Sequence, residues 1–152
     1  MASTDEVNLT APHTPHERAI EAFNHVLREI KLAVIALRRN WDIHEPRMWS
    51  RAAGLSDVKL TTFTIEDDLV EIRTGAVSYG TIIFGKIRIP AVNDELGEGF
   101  IHVRIHDPPN KGEGDVMFHS IFTMEGKRDA DGHPHLWRAI QVKAEPLEFF
   151  NE

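Results

Sequence analysis

Residues 99–107 place His102, Arg104 and His106 at alternate positions, with Ile101, Val103 and Ile105 between them. Successive side chains of an extended strand point to opposite faces, so this spacing predicts one apolar face and one carrying two imidazoles and a guanidinium. An imidazole titrates near neutral pH and suits proton transfer. A guanidinium offers a planar fork of donors to a carboxylate or to developing negative charge. His119, in the next alternating run, is the candidate general acid or base, with Arg104 as its electrostatic partner across the ladder. His102, His106 and Gln141 would orient a ligand, and Phe84, Met117 and Trp137 would supply its apolar walls. No motif names a reaction. Isomerisation, dehydration and cyclisation are the classes that need only proton transfer and electrostatics. The plainer alternative is a solvated sheet face, since polar residues commonly alternate on antiparallel strands.

Other chemistry is less well served. Cysteine is absent, which removes thiol catalysis, thiolate metal sites and disulfides. His102 and His106 lie four residues apart on a strand, about 13 Å, too far to share an ion. His133 and His135 flank a proline beside a turn, and His44-Glu45 lacks the spacing of a helical zinc motif. No metal is therefore expected. Lys111, Gly112 and Gly114 resemble a phosphate loop only in composition, because no helix follows them, and no nucleotide or other cofactor is expected. Asp67 with Asp68, and Asp129 with Asp131, read as solvated turns, and Asp107 as the cap of the loop that follows it.

These residues need elements to hold them. Thr14-Pro15-His16-Glu17 reads as a helix start, with Thr14 as cap, Pro15 at the first helical position and Glu17 closing a capping box. Ile20, Phe23, Leu27, Ile30, Val34, Leu37 and Trp41 follow at spacings of three and four, which predicts one long helix over about 15–39. Arg38 and Arg39 suit its negative end and Asn40 its cap. A short second helix is predicted over 46–53. Six strands are predicted after it: 58–65, 69–77, 81–89, 100–106, 116–124 and 135–144, separated by segments rich in Gly, Pro, Asp and Asn. Short connections favour an antiparallel meander. The expected fold is therefore α+β, with helices packed on a curled six-strand sheet, cone- or half-barrel-like. Residues 1–13 are expected to be a disordered tail and 14–152 a single domain.

Pairing Ile87 with Ile101 and Arg104 with His119 assigns the faces. Ile83, Gly85, Ile87, Ile101, Val103, Ile105, Phe118, Ser120 and Phe122 share the first. Ile82, Phe84, Lys86, His102, Arg104, His106, Met117, His119 and Ile121 share the second, extended by Trp137 and Gln141. A mixed aromatic and polar second face implies a ligand cavity or a subunit contact.

The 152 residues carry a formal net charge of -7, which argues against nucleic acid. The beginning of the sequence lacks a basic, then apolar, signal pattern, and no apolar run could span a bilayer. A cytoplasmic homodimer is expected. Its expected function is to bind a small, partly apolar, anionic molecule, with acid–base turnover left open. The competing reading is a non-enzymatic protein-interaction or dimerisation domain that uses the mixed face.

Overall fold

The computed structural model describes residues 8–109, 115–128 and 134–151. Lys111, Gly112, Gly114, Asp129, Asp131, His133, the side chain of His135 and the first seven residues of the expected tail lie outside the described residues. The architecture is α+β, with helices packed on an antiparallel sheet.

The predicted long helix is two: α1, Glu17–His25, and α2, Leu27–His44. The cap of α1 is His16, whose Nδ1 accepts from the Ala19 amide at 3.1 Å, two residues beyond the expected Thr14. Val26 separates the helices at φ -108°, ψ 10°, its amide bonded three residues back to the Phe23 carbonyl. That shorter bond interrupts the helical ladder, and the Ile30 amide restarts it on the Val26 carbonyl. The apolar stripe survives the break: Ala19, Ala22, Phe23, Val26, Ile30 and Val34 are all buried. Helix α2 runs past Asn40, the expected cap, to His44.

A 3-10 helix, Pro46–Ala52, stands where the short second helix was predicted, burying Met48 and Trp49. The strand predicted over 58–65 is absent. Two single-turn helices, α3 at Asp57–Leu60 and α4 at Ile65–Asp68, replace it. Local capping decides this: the Ser56 hydroxyl accepts from the Lys59 amide, and the Thr64 hydroxyl from the Asp67 amide. The Asp68 carboxylate completes the second cap by accepting from the Thr64 amide at 2.8 Å.

Four strands form the main sheet in the order β1 (Leu69–Val77), β2 (Gly80–Asp94), β3 (Gly97–Asp107) and β4 (Met117–Ile121). The remaining two, β5 (Met124–Arg128) and β6 (Pro134–Arg138), form a separate two-stranded sheet. The single six-strand meander is thus corrected to four strands plus two, and the sheet does not close. β4 ends at Ile121, the Phe122 amide still donates to the His102 carbonyl at 2.9 Å, and β5 begins at Met124, so the strand predicted over 116–124 is split between the two sheets. The last predicted strand stops at Arg138, and Gln141 then bridges to Phe100 in β3.

Register follows expectation between β2 and β3, where Ile87 faces Ile101. Between β3 and β4 it does not: Ile105 faces Phe118, but Arg104 faces Ser120, which leaves His119 as an inserted residue. One face of the sheet, with Ile83, Ile87, Ile101, Val103 and Ile105, joins the helices in the main core. Helix α1 approaches β2 so closely that a Cβ on Gly85 would lie 2.5 Å from the Phe23 ring. Residues 8–13 run beside β1, with the Thr10 amide donating to the Thr74 carbonyl and His13 exchanging backbone bonds with Ile72.

Candidate functional site

The opposite face of the sheet carries the polar set. Strand alternation puts Ile82, Phe84 and Lys86 of β2 beside His106, Arg104 and His102 of β3, each facing its partner in that order. None of the central four is solvated: Phe84, Lys86, His102 and Arg104 are all buried. What covers them is the segment 142–151, which crosses the face without helix or strand. Leu147 packs with Ile82 and Phe84, joined by Leu9, Val77, Phe149 and Phe150. The Phe149 and Phe150 rings lie 5.5 and 5.1 Å from Phe84. Both phenylalanines thus lie over the face of the sheet.

Arg104 is satisfied from several sides. Its Nε donates to His119 Nδ1 at 3.0 Å and its Nη1 to the Phe150 carbonyl at 2.7 Å. Its guanidinium carbon sits 5.8 Å from the Phe84 ring and 5.3 Å from the Phe149 ring, both within cation–π range. Because His119 Nδ1 accepts this bond, a neutral His119 carries its proton on Nε2. The bulge does not part the pair: the inserted His119 still reaches Arg104. His106 stands next in line, its ring 5.8 Å from His119 and its Nε2 donating to the Tyr79 carbonyl.

His102 is the unsatisfied member. The residue is 1% exposed and its ring stacks on Phe122 at 6.1 Å, yet Nε2 has no hydrogen-bond partner among the described residues. Burial, and then the positive charge of Lys86 opposite it, lower its pKa from 6.5 to about 3, so the imidazole is neutral at physiological pH. Lys86 is itself shifted down by burial, while its Nζ donates to the carbonyls of Lys143 and Glu145 at 3.0 and 2.7 Å.

His102 forms the floor of a groove of about 410 Å³. Phe122, Thr123, Met124 and Glu125 line one wall, and Glu145, Pro146, Glu148 and Phe149 the other. Three carboxylates at this rim make the groove acidic. A neighbouring groove of about 380 Å³ runs past Glu71, Lys86, Arg88, Glu98 and Phe100.

Not every expected residue arrives here. Met117 stands at the sheet's margin opposite His106 and is largely exposed. Trp137 lies on the helical side, 6.2 Å from Trp41 and beneath the Arg47 guanidinium, because β6 does not continue the main sheet. Gln141 is fully buried as a tie, its side-chain nitrogen donating to the carbonyls of Arg138 and Ala139. The bulge also exchanges two neighbours: Ile121 enters the main core, whereas Phe122 turns to the His102 side. Sequence reasoning missed Phe122, Glu145, Glu148 and the covering role of 142–151. The available signal was Leu147-Glu148-Phe149-Phe150, an apolar cluster after a proline in an otherwise polar stretch.

Among the described residues, no three His, Asp or Glu side chains come together in a way that could hold a metal ion. No helix among them is long and apolar enough to cross a membrane. No protein-family model matches the chain, and neither a curated protein nor a solved structure matches it.

Proposed function

We propose that the protein is a small-molecule-binding domain whose ligand lies in the groove above His102. The observation that carries this reading is the buried, neutral imidazole of His102 beneath the groove, whose Nε2 has no hydrogen-bond partner among the described residues. An orphaned buried polar atom costs about 1–3 kcal/mol, which a ligand atom of matching polarity would recover. Phe122 and Phe149 offer aromatic walls, so the ligand is partly apolar. The three glutamates at the rim favour a neutral or cationic molecule over the anionic one that the Arg/His pattern suggested. Arg104 is engaged with His119 and Phe150, so acid–base turnover at that pair would require the covering segment to move.

Three probes of similar size and different charge separate these alternatives: phenethylamine, phenylethanol and phenylacetate. Binding is followed through the ¹⁵N and ¹H signals of the His102 ring. The amine or the alcohol should shift those signals and the carboxylate should not, and His102→Leu should weaken binding roughly tenfold, as loss of one good polar contact does. Preference for phenylacetate, or binding indifferent to His102→Leu, would remove the groove as the site.

A further inference from the structure

The covering segment is held in an unusual way: cations on three neighbouring strands grip its main chain. Arg73 of β1 donates to the Leu147 carbonyl at 2.9 Å. Lys86 of β2 takes the Lys143 and Glu145 carbonyls, and Arg104 of β3 takes that of Phe150. Charge-assisted bonds to carbonyl oxygens are strong and indifferent to side-chain identity. Selectivity comes instead from three side chains. Leu147 fills the hollow over Ile82 and Phe84, while Phe149 and Phe150 lie on Phe84, with Phe150 also 5.2 Å from Phe122.

We propose that the outer face of β1–β3 is a docking site for a peptide that bears an aliphatic residue, one spacer and two aromatic residues after a turn, and that residues 142–151 are its built-in occupant. The partner's chemistry is read from the occupant: carbonyls for the three cations, and a Leu-x-Phe-Phe pattern for the hollow and the aromatic cluster. The segment follows the Gln141–Phe100 bridge and contains no helix or strand, so it can leave without breaking an element. It crosses the face rather than extending an edge, so the site differs from strand addition. This proposal does not rest on the small-molecule reading. The two are coupled, however, because Glu145, Pro146, Glu148 and Phe149 leave the groove when the segment is displaced.

The test uses the full chain and a fluorescein-labelled peptide with the sequence of residues 142–151. Phe149→Ser with Phe150→Ser loosens the resident segment and leaves the face intact, which amide protection of β2 and β3 verifies. Loosening raises the fraction of open face, so this variant should bind the peptide roughly tenfold more tightly than the unaltered chain. Adding Arg73→Ala should weaken that binding, and a peptide with both phenylalanines changed to serine should not bind. Should the loosened variant fail to fold, the unaltered chain is used with excess unlabelled peptide. Amides of 147–150 should then exchange faster while those of β2 and β3 do not. Equal peptide affinity in the two chains, equal binding of the serine peptide, or unchanged exchange in that second experiment would overturn the proposal.

Discussion

At the scale of residues, His102 converts burial into pH dependence. Its folded pKa of about 3 lies below the ordinary 6.5, so between those values the unfolded chain binds the extra proton. Stability therefore rises with pH through this window and is lost as pH falls from 6.5 towards 3. A pKa unit corresponds to about 1.4 kcal/mol, so His102 alone should cost about 2 kcal/mol on going from pH 7.5 to pH 5. Urea denaturation at the two pH values should show this loss in the unaltered protein, with that share missing from His102→Leu. Identical acid sensitivity in both would mean the imidazole is better solvated than its surroundings indicate. Arg104 is the counterpart that stays charged, its position set by His119, Phe150 and two aromatic rings.

Between elements, ion pairs and caps do the joining. Asp57 at the start of α3 accepts from Arg38 and Arg39 of α2, and these bonds, Arg38 first, hold its carboxyl below the usual range. Arg18 of α1 makes a two-point contact with Asp107 at the end of β3, at 3.0 and 2.6 Å. Asp68 has the most demanding place: it is buried, caps α4 through the Thr64 amide and accepts from Arg88 of β2 at 2.9 Å. Asp68→Ala removes the acceptor of the Thr64 amide and one of the two carboxylate partners of Arg88, which keeps Glu98. It should destabilise the fold by about 1–3 kcal/mol, with Asp68→Asn losing less because one acceptor remains. Equal urea midpoints for the alanine variant and the unaltered chain would show that the α4–β2 junction is not held by this carboxylate.

Seen as a whole molecule, the sheet is a single layer with two different covers. Helices close one face through a large apolar core, whereas the other is closed by an irregular segment anchored on Leu147, two phenylalanines and three cations. Segments with few apolar anchors open at lower free energy than core strands. Leu147→Ala should therefore speed amide exchange within 142–151 strongly while changing β3 little. If all elements instead lose protection together, the segment is part of one cooperative unit and does not open separately.

Patterns of near-neighbour origin were legible in the sequence: the apolar stripe of α1 and α2, the alternation of β2 and β3, and the shared face of Phe84, His102, Arg104 and His106. Each depends on a local period of 3.6 or 2, which the backbone imposes wherever the element forms. Helix formation at 57–68 went unread because capping by Ser56 and Thr64 outweighs a loosely alternating apolar pattern. The inserted His119, the reversal of Ile121 and Phe122, the separate β5–β6 pair and the cover over the polar face were decided by tertiary structure. These depend on contacts between residues far apart in the chain. A one-residue insertion changes sides without changing composition, and only assembled packing shows which surface a ligand can reach.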